Sequence, residues 1–315
     1  MSGPLELSAA SHTLSPPTTD ATTPNSEQLT TSSLPADQSR FLSTPSPPTC
    51  TSTVIDFSTT PLPEYANHFA LLISNLLTAS ECAQLLQLAE STTRPPATWS
   101  AAEINIGYGR QMLMREARNC GRIIWDSHAV AQRLMHRIRP HLPAEIVTVQ
   151  DNARITGYGP VKRGETWRVS RLNERLRFLR YEPGMYFREH CDGCYVTPDG
   201  REISWLTVHV YLNGGEEGSE DAASSPCPAE AVQVDGGEVD RDPATATDAQ
   251  KLRLKGGATR FFSPRLSARD KTCFDVNPRM GACLVFQHKG LVHSGEEVEQ
   301  GVKYTVRSDV MYEKV

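Results

Sequence analysis

The stretch "YEPGMYFREHCDGCY", residues 181–195, interleaves a His-x-Asp pair, His190 and Asp192, with a Cys-x-x-Cys pair, Cys191 and Cys194. Either pair can grip a metal, and the two choices lead to different proteins. On extended backbone, residues i and i+2 project to one side, so His190 and Asp192 reach one ion while Cys191 points away. Structural zinc would want a second Cys/His pair at short spacing, and none is visible. A thioredoxin-like pair would open a helix after a strand, whereas Gly193 and Tyr195 lead into the turn-rich "VTPDGREISW", 196–205. The stretch reads as a His/Asp site with two bystander thiols.

A third ligand has to come from a distant strand. The segment "FQHKGLVHSGEEVEQGVKYTVRSDVMY", 286–312, offers His288 and His293. Two imidazoles and one carboxylate form the facial triad of non-haem iron(II), with open positions for substrate and oxygen. Such a site carries a net positive charge and favours a chelating anionic co-substrate. Along "VKYTVRSDVMY", 302–312, Lys303, Thr305 and Arg307 share one strand face, and Val302, Tyr304 and Val306 share the other. An isolated strand would turn its cations to water. With metal ligands just upstream, this one is read as aiming them inward, where a dicarboxylate could chelate the ion and pair with a cation.

The surroundings are consistent with this. "LRFLRYE", "SWLTVHVYLN", "ATRFF", "GACLVFQ" and the 302–312 run are short β-branched and aromatic segments separated by Gly, Pro and Asn. Upstream, Thr78 with Glu81 forms a capping box before a helix carrying Cys82, Leu85, Leu86 and Ala89. A second helix fits "DSHAVAQRLMHRIRPHL", with Ala129, Leu134 and Ile138 as its stripe and Pro140 as its stop. His136 and His141 read as surface side chains. The expected fold class is mainly β with flanking helices: a double-stranded β-helix, or jelly-roll, with N-terminal helices packed on one sheet.

On these residues the chain resembles Fe(II)- and 2-oxoglutarate-dependent dioxygenases, the catalytic domain of prolyl 4-hydroxylase above all. The likeness runs from about residue 65 to 315 and is most specific in the last 140 residues. The family's order is His-x-Asp, then a distal His, then a basic residue about ten further on, which here falls on His190, Asp192, His293 and Lys303. That spacing selects His293 over His288 as third ligand. The resemblance further implies co-substrate contacts at Tyr211 and Tyr181, with Thr207 and His209 lining the pocket and "GGATRFF", 256–262, entering the next strand. Arg307 is an additional inward cation, a second anion contact beside Lys303. It also implies Fe(II), 2-oxoglutarate and O2, with ascorbate dependence, and no catalytic residue beyond the metal ligands. The implied activity is hydroxylation of a C–H bond with release of succinate and CO2, a prolyl residue of an intracellular protein being the first expectation. A small metabolite, or a barrel that kept its shape as a binding module, are the alternatives.

Bulk composition fixes the rest of the expectation. Of 315 residues, 1–62 are assigned to a disordered Ser/Thr/Pro-rich leader and 63–315 to the dioxygenase domain. An acidic insertion at about 214–255 interrupts the domain; ten acidic and two basic residues lie between Gly214 and Lys251. A net charge of −5 gives no footprint for nucleic acid or an anionic membrane. With no signal peptide, no ER retention signal at "MYEKV" and no apolar run of membrane length, the eight cysteines read as free thiols. A cytoplasmic or nuclear protein is expected.

Overall fold

The computed structural model describes residues 40–106, 110–214, 253–263 and 272–315. The expected leader up to residue 39 and most of the acidic insertion lie outside the described residues. Residues 40–62, assigned to the leader from composition, are folded. Phe41 and Leu42 are buried against the helices, and Phe57 and Leu62 are buried in a second cluster with Tyr65. Isolated anchors of this kind are averaged away in a Ser/Thr/Pro-rich window. Their backbone is also tied down, since Arg133 donates to the Phe41 carbonyl and Arg137 to that of Thr44.

Thirteen strands and two helices carry the argument. In chain order they are β1 (Thr51–Val54), β2 (Ala70–Ser74), α1 (Ala79–Ser91), β3 (Arg118–Asn119), β4 (Gly121–Asp126) and α2 (His128–Ile138). Then follow β5 (Thr166–Leu172), β6 (Arg175–Tyr181), β7 (Tyr186–His190), β8 (Glu202–Tyr211) and β9 (Thr259–Phe262). The last are β10 (Cys273–Val276), β11 (Cys283–Gln287), β12 (His293–Gly295) and β13 (Lys303–Lys314).

The expected capping box at Thr78 and Glu81 is present, and the Ser127 side chain caps α2. The α2 stripe is set one residue on from the expected start: Val130, not Ala129, is buried with Leu134 and Ile138 at i, i+4, i+8.

A ten-stranded sheet runs β1-β2-β11-β8-β13-β6-β4 and ends on Ser100–Ala101, with β5 pairing both β13 and the strand Thr148–Gln150. Facing it is a five-stranded sheet in the order β10-β9-β12-β7-β3, and every pairing is antiparallel. This is the jelly-roll arrangement of two facing sheets. One face of the large sheet, with Phe178, Val208, Val306 and Val310, buries itself against Leu85, Leu88, Val130 and Leu134 of the helices. Its other face looks toward the small sheet and builds the site.

Candidate metal and co-substrate site

Register brings the site together. His190 and His293 are direct cross-strand partners between β7 and β12. Their ring centroids lie 4.3 Å apart. Asp192, two residues past the end of β7, presents Oδ1 to His190 Nε2 and Oδ2 to His293 Nε2, each at 3.6 Å. All three ligand atoms fall within 4.8 Å of one another, the one such group among the described residues. Cis ligands about 2.1 Å from one ion would stand about 3 Å apart, so a small inward shift suffices.

The tautomers are fixed from behind. His190 Nδ1–H donates to the Arg188 carbonyl at 2.7 Å, and His293 Nδ1–H donates to that of Leu291 at 3.0 Å. A carbonyl can only accept, so both Nε2 lone pairs are free to face the ion. Burial, together with His190, pushes the His293 imidazole down to about 3, so it is neutral and ready to ligate. Burial alone would raise the Asp192 carboxyl. The Arg307 guanidinium at 2.8 Å and the two imidazoles outweigh it and hold the group well below the usual carboxylate range. The Thr207 hydroxyl donates to Asp192 Oδ2.

The large sheet supplies the rest by alternation. Lys303 pairs with Tyr181, Thr305 with Tyr211, Arg307 with Arg177 and His209, and Asp309 with Thr207, so these side chains share the inward face. Lys303 is 1 % exposed, and its one hydrogen bond among the described residues goes to the Gly257 carbonyl at 2.6 Å. Its Nζ sits 5.2 Å from the Tyr181 ring and 5.7 Å from the Tyr211 ring. Burial pushes this ammonium down to about 8. Gly257 has a φ of +71°, and a Cβ there would press on the Lys303 stem at 3.1 Å. The Tyr211 hydroxyl is bonded to Thr259 Oγ1 at 2.7 Å. Thr207 and His209 line the cavity as expected, together with Tyr181, Phe187 and Phe286.

Arg307 has two carboxylate partners of the chain's own, Asp192 and Asp309, whereas Lys303 has none among the described residues. His288 is not a ligand. It is 1 % exposed, with Nε2 3.6 Å from Asp309, which also receives Arg177. Burial would lower this imidazole, but Asp309 and Cys194 raise it to about 9. Cys191 and Cys194 are exposed free thiols, as the His/Asp reading requires. Three features escaped the sequence reading: Arg118 on the cavity wall, Phe187 stacked on His190 at 3.7 Å, and Asp309 behind Arg307.

The donor set suits ferrous iron, with two neutral imidazoles, one carboxylate and room for three further positions. The cavity also suits an anionic co-substrate. Among the described residues the Lys303 cation has no carboxylate partner, and the buried Nε2 of His209 and Oγ1 of Thr305 have no hydrogen-bond partner. Unsatisfied buried polar atoms cost free energy unless a ligand meets them.

No family model matches the sequence, and no curated protein matches it. Among solved structures, it is similar to a prolyl-4-hydroxylase from Pseudomonas putida, at 15 % identity and a TM-score of 0.42, covering 81 % of this chain and 99 % of that one. A viral collagen prolyl hydroxylase from Paramecium Bursaria Chlorella virus-1 gives 17 % identity and a TM-score of 0.40, over 78 % and 96 % of the two chains. A prolyl hydroxylase from Trichoplax adhaerens, solved with a peptide of hypoxia inducible factor, gives 13 % identity and a TM-score of 0.45, over 80 % and 88 %.

Proposed function

We propose that this chain is an iron(II)- and 2-oxoglutarate-dependent dioxygenase that hydroxylates an aliphatic C–H bond. The supporting observation is one cavity with a metal-ligating triad and, on the strand that faces it, a buried lysine with no carboxylate partner among the described residues. In balance, substrate, 2-oxoglutarate and O2 become hydroxylated product, succinate and CO2. Bound together, ferrous iron and 2-oxoglutarate supply the oxidising chemistry. His190, Asp192 and His293 hold the ion. Lys303 receives the distal carboxylate of the co-substrate, with Thr305 and His209 supplying polar contacts and Tyr181 and Tyr211 walling the ammonium in. Arg307, through Asp192 and Thr207, keeps the ligand carboxylate ionised and oriented. Phe187 and Phe286 keep water from the reacting end.

The resemblance makes a prolyl residue the first substrate to assay, with ascorbate in the mixture. The cytoplasm or nucleus is the proposed compartment, supported by the seven described cysteines all being free. Among the described residues no helix is long and apolar enough to cross a membrane. The test is 2-oxoglutarate-dependent succinate release by the purified protein with Fe(II). Asp192→Ala is expected to lower it by about a thousandfold or more, since an octahedral site missing its one carboxylate loses the ion. Iron binding without succinate release under any condition would instead point to the non-catalytic module.

A further inference from the structure

Resting on the dioxygenase reading, one residue points to the substrate's chemistry. Arg118 sits on the two-residue strand β3, directly opposite Phe187 of β7. Its guanidinium lies 4.5 Å over the Phe187 ring, and the His190 imidazole stacks on that ring at 3.7 Å. The side chain lines the cavity, and the residue is 7 % exposed. Its polar contacts are all to neutral groups: Nε to Cys120 Sγ at 3.4 Å, Nη1 to the Glu103 carbonyl at 3.5 Å, and the Tyr181 hydroxyl. The Glu103 carboxylate belongs to Arg122, and no carboxylate among the described residues pairs with Arg118.

Other deeply placed arginines of the domain differ. Arg137, Arg177, Arg260 and Arg307 each have a carboxylate partner. Removing a guanidinium from water without a counter-ion is costly, so a fold that does so is arranged for a charge that arrives later. The co-substrate does not supply it. One carboxylate of 2-oxoglutarate chelates the metal and the other meets Lys303, which leaves Arg118 for a third.

We propose that Arg118 binds a carboxylate carried by the substrate, which makes the hydroxylated molecule a small free acid and not an internal residue of a polypeptide. Phe187 touches both the guanidinium and the His190 ring, so a short acid spans from the one to the metal end. The planar fork suits bidentate pairing with a carboxylate.

The experiment uses the full chain with Fe(II), 2-oxoglutarate and ascorbate. Stimulation of succinate release is read against the free protein amino acids, their amides and proline-containing peptides blocked at both ends. At least one free acid is expected to stimulate, and its amide to do so about a hundredfold less well, as a lost charge-assisted pair dictates. In Arg118→Gln, kcat/KM for that acid should fall by about the same factor while the KM for 2-oxoglutarate moves less than about twofold, and Arg118→Lys should recover part of the loss. A thermal melt of Arg118→Gln should show no loss, because no ion pair is broken. Amides or blocked peptides stimulating as well as acids, no stimulation by any acid, or a KM for 2-oxoglutarate rising in step in Arg118→Gln would each overturn the proposal. Succinate release in the absence of any acid would leave the dioxygenase reading standing in those cases. Its complete absence in every mixture removes that reading first.

Discussion

The two ends of the cavity treat charge in opposite ways. Around the metal ligands the buried ions other than Arg118 have partners: Asp192 with Arg307, Asp309 with Arg307 and Arg177, and His288 beside Asp309. At the other end the partner of Lys303 among the described residues is a backbone carbonyl. The first arrangement is finished within the chain and holds geometry. The second is finished only by a ligand, and the folded protein carries its cost until then. Stability and binding should therefore separate between the ends.

The largest effect belongs to the paired end. Arg307→Leu in metal-free protein takes the arginine from buried Asp192 and one of two from Asp309, and should cost about 3–5 kcal/mol, seen as a melting temperature lower by about 10 °C. An unchanged melt would mean the network is not structural. At the unpaired end Lys303→Met should do the reverse. The KM for 2-oxoglutarate rises about a hundredfold, while the melting temperature at neutral pH rises, because removing a cation held from 10.5 down to about 8 relieves about 3 kcal/mol.

The pH dependence sharpens that contrast. The folded value of Lys303 is depressed, so its destabilising contribution is complete below about pH 8 and disappears as pH rises toward 10.5. Over the same span the cation proposed to attract the co-substrate is lost. The kcat/KM for 2-oxoglutarate should fall about tenfold per pH unit above about 8, and Lys303→Met should show no such limb. A wild-type limb persisting in the variant would assign it elsewhere. The smallest effect is at Thr207, whose hydroxyl donates to Asp192. Thr207→Val should weaken iron binding by about tenfold in a competition titration and leave the KM for 2-oxoglutarate nearly unchanged.

Much of this was legible in the residue order. The alternation of "LRFLRYE" and "SWLTVHVYLN" placed β6 and β8, and the triad followed from His-x-Asp plus a distal His ahead of a basic strand. Alternation could say that Lys303 and Arg307 share a face, but not which carboxylates stand across from them. Asp309 follows Arg307 on the same strand face, but Asp192 and His288 come beside the pair only through contacts between segments far apart in sequence. Arg118 reaches the cavity through a strand of two residues whose partner lies 69 positions on, a signal too short for any periodicity. Residues 40–62 were misassigned for a different reason, since a few buried aromatics can hold a segment that is polar on average.

Strand β13 has a consequence for how this protein is made. It closes against β5, β6 and β8 at once, and it is the last strand to be synthesised of those that bound the site. Until residues 303–314 have left the ribosome, three strands carry bare hydrogen-bonding edges above an exposed apolar face. The nascent chain should therefore be a strong client for chaperones, and a stop codon shortly before Lys303 should yield aggregate, not a soluble inactive protein.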